Sequence, residues 1–511
     1  MKKQNSIIFF SLLTFGVHIA VANNYELHRD ELLYLALGHH LDWGFASVPP
    51  LIGVFAKVAM AVFSDAAFGV KCLAAFAGAV LVVVVGKITE LVGGKEWAVF
   101  LACAACTFSV AYNRTAWLFQ PVVFDILYWT LSAYFFIRLI KMADNESTKE
   151  QAAKQWLPLS IVWGFGFLNK YNIVFMVVAC LAALLLSPQR RLMWNKYFGL
   201  GLLIGFIIIW PNLFWQWQHQ FPVVRHMAEL RNNQLVNVNL SGFLISQATM
   251  NLHAIAIWIA GLGICLFGTT EKWLRSVGWF FLLSVALFMV GSGKGYYTLG
   301  LYPMLFAVGG YAMEKYASRG IKITVILWMV VTSLPLMPLA LPLLNHDKMT
   351  GYGQKVKSII GDSFLKWEDG KEHPLPQDYA DMTGWRELAD IVDRAYLSLS
   401  EDERKSCVIF CENYGQAGAV LHYAQQNIPP PISFSDSFLQ WAPDSLNIST
   451  FIYINDETDD IKKLFEEVVE FDRLKNLYAR EIGLPVYICR KPIKILPFYR
   501  DKVKMLKAER L

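Results

Sequence analysis

Hydrophobic and polar positions divide the chain at about Leu344. Before it, long apolar runs are separated by short polar stretches. After it, apolar and polar residues mix as in an ordinary water-facing domain. A helix that crosses a membrane takes ~20 apolar residues, with a range of about 17–25. Runs at 6–22, 67–86, 97–112, 120–140, 157–168, 172–187, 197–214, 251–268, 276–291, 297–313 and 321–344 are candidates, 157–168 being short. Segment 51–63 reads as an interfacial helix or a further span. The pattern predicts an α-helical polytopic membrane domain over 1–344, with about 11–13 transmembrane helices.

The remainder, 345–511, is of normal domain size. Residues 384–399 have helical spacing, and 407–411 (CVIFC) is a strand. Residues 412–426 read as a turn into a helix, 451–455 as a strand, 460–471 as a helix with charges on one face, and 485–490 as a strand. This alternation predicts a small α/β domain. The turn ENYGQAG lacks the G-x-G-x-x-G spacing of a dinucleotide loop, so it reads as a turn presenting Asn413 and Tyr414 toward the membrane domain.

Composition agrees: 55% of residues are hydrophobic and 17% charged, against about 25% charged in soluble proteins. With the N-terminus in the cytoplasm, the inside loops hold 16 basic residues, and the opposite loops hold about half as many over longer stretches. The positive-inside rule then predicts a multi-pass protein of the inner (cytoplasmic) membrane with its C-terminal domain extracytoplasmic, in the periplasm. Lys2-Lys3, the apolar run and Ala20-Val21-Ala22 also fit a signal peptide, which leaves residue 30 on the outer side as well. The net charge of +5 is assigned to the inside loops and calls for no nucleic-acid partner. Of eight cysteines, five lie in candidate spans; the three outer ones allow at most one disulfide, and no Cys/His spacing matches a zinc site.

The candidate chemistry lies on the outer side. Asp30 and Glu31 follow the first span directly, beside His28 and Arg29, with Tyr34 and Gly38 four and eight residues beyond Asp30 on one helical face. The plain alternative is a carboxylate pair at a helix N-terminus, favoured by the dipole. Asp125 lies inside the 120–140 run, where a carboxylate is costly and by default functional. Its alternatives are snorkelling to the surface or pairing with Arg114. Two Lys-Tyr clusters, Lys170-Tyr171 and Lys294 with Tyr296 and Tyr297, have the ammonium and phenol groups that hold a phosphate. In 211–231, Trp215, Trp217 and Phe221 read as an interfacial aromatic belt. Arg225 and His226 are the polar candidates there, His226 as a phosphate-orienting group or as ligand to a divalent metal, the one cofactor considered.

Several segments together carry a resemblance: RDELLYLALGHH (29–40), FASVPPL (45–51), LFQPVVFDILYW (118–129), NKYN (169–172), GKGYYTLGLYP (293–303) and ENYGQAGAVLHY (412–423). They resemble the GT-C glycosyltransferases that use polyprenyl-phosphate sugars, bacterial relatives of the protein O-mannosyltransferases and the lipid A aminoarabinose transferases. The resemblance implies a GT-C fold and an inverting transfer from undecaprenyl phosphate to a lipid, glycan or protein acceptor. It implies Asp30 as catalytic base, with Glu31 and Asp125 as the acidic companions. Lys170, Tyr171, Arg225, Lys294, Tyr296 and Tyr297 would serve the donor phosphate. The aminoarabinose branch has an acidic-basic pair before its two prolines. Here Ser47 and Val48 stand there, which argues against a metal bound in that manner and against aminoarabinose as the sugar. A transporter of lipid-linked intermediates and a non-catalytic relative are the competing readings.

Overall fold

The computed structural model describes residues 2–233 and 239–510. Backbone in hydrocarbon must satisfy its hydrogen bonds internally, so the apolar runs become helices. Among the described residues six are long and apolar enough to cross a bilayer: Lys3–Val21, Ala66–Val92, Pro121–Ala143, Lys196–Gln218, Lys272–Val290 and Arg319–Leu339. Leu240–Thr249 with Leu252–Phe267, bent by 60°, makes a seventh if read as one span. The other expected spans are shorter helices. Residues 97–112 break into Glu96–Thr107 and Val110–Trp117, because Ser109 caps the second helix and the Asn113 amide donates to the Thr107 and Ser109 carbonyls. Residues 157–168 and 172–187 form Trp156–Asn169 and Ile173–Leu185, of 14 and 13 residues. A 14-residue helix rises only ~21 Å, against ~30 Å of hydrocarbon. Residues 297–313 begin as a 3₁₀ turn, Gly295–Leu301, and continue as the buried helix Tyr302–Tyr316. That helix crosses Ile255–Phe267 at Gly309, where any Cβ would lie 1.9 Å from the Ile257 carbonyl oxygen. Segment 51–63 is the short helix Leu51–Val62.

The outer domain holds a four-stranded sheet in the order β1-β2-β4-β3. β1 (Cys407–Cys411) pairs parallel with β2 (Thr450–Ile454); β4 (Pro485–Pro492) pairs antiparallel with both β2 and β3 (Phe465–Arg473). β3 corrects the helix expected over 460–471. Its Val468-Val469 pair favours a strand, β4 supplies the ladder, and the glutamates that suggested a polar helical face instead decorate an edge strand. All eight cysteines are free thiols.

The two regions share one core. Leu32, Leu35 and Ala36 of the Arg29–His39 helix pack with Ala417, Val420 and Trp385 of the outer domain. The helix Tyr414–Tyr423 approaches so closely at Gly418 that a Cβ would lie 2.8 Å from Leu32 Cβ. The composition change at Leu344 is therefore not a gap in the fold.

Candidate active site

The sequence His28-Arg29-Asp30-Glu31 starts a helix with a capping box. The His28 ring accepts from Asp30 N at 3.1 Å, and Glu31 Oε2 accepts from His28 N at 2.8 Å. This local geometry sends the two carboxylates in different directions.

Asp30 faces a cavity of about 500 Å³ between the membrane helices and the outer domain. Tyr414 donates to its Oδ1 at 2.8 Å and the Gln120 amide to its Oδ2 at 3.0 Å. Two residues distant in sequence thus hold one carboxylate. Burial, then the neighbouring Asp30 charge, push the Tyr414 phenol well above its ordinary pKa, so it stays a donor. Arg29 stacks on the Tyr414 ring at 4.7 Å, its Nε buried and without a partner.

Further cations line the same cavity. Arg114 is bound to Asp378, with Nη2 to Oδ1 at 2.8 Å. Burial alone would raise the Asp378 carboxyl; the Arg114 charge overrides it and holds the group below its usual range. Arg480 donates to both oxygens of Asp381, at 3.0 and 3.2 Å. His28 Nε2 lies 3.7 Å from Asp381 and 3.9 Å from Asp378. Burial lowers the Lys294 pKa, with Glu368 opposing.

Asp125 lies outside this lining, in a second cluster. It is buried, accepting from Trp129 Nε1 at 3.0 Å and from Asn172 Nδ2 at 2.9 Å. Its partner is not Arg114, which Asp378 takes. The Lys170 charge acts on Asp125, and the Lys170 ammonium stands 4.9 Å from the Tyr297 ring and 5.4 Å from Tyr296. Tyr296 also lines the main cavity, so the 294–297 loop joins the two clusters.

Other expected residues fall elsewhere. Glu31 is fully buried and turned away from the cavity. Its oxygens accept from Lys71 Nζ at 2.7 Å and from Phe119 N at 2.6 Å besides His28 N. So enclosed, Glu31 does not share the cavity that Asp30 faces. Tyr171 is held by Asn212 and Gln216. Arg225 donates to Gln220 Oε1 at 2.9 Å and to the Ala508 carbonyl at 3.4 Å; neither it nor His226 lines the cavity. Among the described residues no group of three or more His, Cys, Asp or Glu is placed to hold a metal ion. Sequence reasoning passed over Gln120, Asp378, Asp381, Arg480 and Lys71. Only Lys71 carried a signal, a lone lysine inside an apolar run.

Known proteins match this architecture. The family model for dolichyl-phosphate-mannose-protein mannosyltransferase matches residues 47–215, a stretch that includes Asp125 and Lys170 and begins after Asp30. Two curated proteins of Rhizobium johnstonii are similar. The lipid A galacturonosyltransferase RgtD is 28% identical over 106 residues, 21% of this chain and 22% of that protein. The lipopolysaccharide core galacturonosyltransferase RgtB is 24% identical over 213 residues, 38% of this chain and 42% of that protein. The chain thus spans less than half the length of either relative. In fold it is similar to ArnT from Cupriavidus metallidurans bound to undecaprenyl phosphate, with a TM-score of 0.62, 12% identity, and coverage of 94% of this chain and 97% of that one. The class is a polytopic membrane protein of GT-C architecture with a small sheet-bearing outer domain. Over residues 47–215 the chain is similar to the mannosyltransferase family, and over nearly all of its length to the fold of ArnT.

Proposed function

We propose that this protein is an inverting glycosyltransferase. It moves a sugar from polyprenyl (undecaprenyl) phosphate to a lipid, glycan or protein acceptor at the outer face of the cytoplasmic membrane. The observation that carries the reading is Asp30, a carboxylate held from two sides at a cavity lined by four cations. Each Asp30 oxygen already accepts one hydrogen bond and keeps a lone pair for an incoming hydroxyl. Asp30 takes the acceptor hydroxyl proton as the acceptor oxygen bonds the anomeric carbon. The bond from that carbon to the donor phosphate oxygen breaks, and its electron pair leaves with the polyprenyl phosphate. Fixed cations at a low-dielectric site stabilise that developing charge. Lys170 and Lys294, joined through Tyr296 and Tyr297, are the assigned phosphate groups. The undecaprenyl phosphate in the ArnT structure supports the donor class. The names of both curated relatives make a galacturonosyl donor the first to assay.

The test uses purified protein in proteoliposomes with a panel of undecaprenyl-phosphate sugars and measures released undecaprenyl phosphate. Wild type should release it from at least one donor, and Asp30→Asn should not. Equal release by the two proteins would remove Asp30 from the chemistry. Movement of intact donor across the bilayer without release would favour a transporter.

A further inference from the structure

We infer that the C-terminal helix Ile495–Arg510, with the loop helix Pro222–Asn233, forms a docking surface for anionic lipid head-groups on the membrane face that carries the cavity. Residues 491–511 hold seven basic and two acidic residues, a net +5 equal to the formal net charge of the whole chain. The chain's positive balance is therefore concentrated here as well as in the loops between spans.

The helix has two kinds of face. Ile495, Tyr499, Val503 and Leu506 are buried against the outer domain. Lys494, Phe498, Lys502 and Met505 share another face by helical spacing, and there Phe498 and Met505 are 42% and 43% exposed. Large apolar side chains set between lysines are what a helix lying on a lipid surface presents. Lys494, Lys502 and Lys504 form no ion pair among the described residues, whereas Lys507 is bound to Asp444. Three cations are thus available to a partner.

The position in the fold supplies the second argument. Arg225 donates to the Ala508 carbonyl, tying the end of this helix to Pro222–Asn233. That helix begins just after the membrane-crossing helix Lys196–Gln218 ends, so it starts at the bilayer surface. It exposes Val224 and Met227, and Trp217 is exposed beside it. Aromatic and apolar groups at the interface with cations above them match lipid phosphates at head-group depth. The consequence is mechanical. The outer domain supplies Tyr414 and Arg480 to the cavity, and this contact would hold that domain to the bilayer.

The inference rests on the membrane reading and not on sugar transfer, so its test needs no donor. The full protein is placed in nanodiscs of phosphatidylcholine alone, or of phosphatidylcholine with phosphatidylglycerol, and amide hydrogen exchange over 498–508 is followed. Each cation near an anionic surface contributes about a five-fold effect, so exchange should slow by about ten-fold or more in the anionic discs. High salt should reverse the slowing. The variant Lys494→Gln/Lys502→Gln/Lys504→Gln leaves the buried stripe intact and should abolish the lipid dependence while keeping the wild-type exchange seen in neutral discs. Equal exchange in both lipids, or lipid dependence that survives in the variant, would overturn the proposal.

Discussion

Replacing Lys71 with Met probes how Asp30 is kept in place. Lys71 Nζ is 2.7 Å from Glu31 Oε2 and 3.6 Å from the Trp117 ring centroid, in a site where Glu31 has no solvent exposure. Methionine retains the unbranched stem and deletes the charge. Glu31 then keeps its two amide donors, His28 and Phe119, and loses its counter-ion. Removing one partner of a buried pair costs about 3–5 kcal/mol, because the other charge stays buried. The two amide bonds set the expectation at the lower end, about 3 kcal/mol. Adding Glu31→Gln removes the stranded charge but sets the amide NH2 against one of the two backbone N–H donors, and with that donor unsatisfied the remaining loss should be about 2 kcal/mol. Thermal unfolding of the three proteins in one detergent checks the order: wild type, then the double variant, then Lys71→Met. Turnover below the melting range gives the second readout. Phe119 precedes Gln120, which holds Asp30, so Lys71→Met should lower kcat more than it raises the donor KM. A Lys71→Met protein that melts and turns over like wild type, or a double variant no better than the single, would refute this account.

Two further outcomes follow from named contacts. Tyr414→Phe deletes one hydrogen bond to a charged oxygen, worth about 1.5–3 kcal/mol, and should lower kcat/KM by about 10–100-fold; an unchanged initial rate would exclude Tyr414 from positioning Asp30. His422 in the outer domain has its pKa lowered to about 4 from an ordinary 6.5, chiefly by burial, with Asp65 opposing. Between those values the unfolded chain binds a proton that the folded chain does not, so stability falls as pH drops through that window. Melting at pH 7 and pH 5 should show the loss, and His422→Gln should reduce it; an identical pH response in the variant would assign the effect to other groups.

The membrane domain was readable because its signal is local. Hydrocarbon demands helices, and the length of an apolar run reports them without knowledge of any neighbour. The limits of that rule are visible at 97–112 and 157–187. There, polar caps and short helices buried by their neighbours replace full spans. In the outer domain, 460–471 shows the same limit in another form. Val468-Val469 among glutamates suits a helix face or an edge strand, and only pairing with β4 decides between them.

For the candidate site, residue types and neighbours along the chain were enough to single out Asp30, Asp125, Lys170, Lys294 and Tyr296. Carboxylates and lysines beside apolar runs stand out from composition alone. What sequence could not supply was direction and partnership. Asp30 and Glu31 are adjacent, yet one helical step of 100° turns one into the cavity and the other into a buried pair with Lys71. Tyr414, 384 residues away, completes the Asp30 site, and Arg114 leaves Asp125 for Asp378. Secondary structure follows from interactions a few residues apart. A site made of Gln120, Asp30 and Tyr414 exists only once packing has paid the entropy of closing the long loops between them.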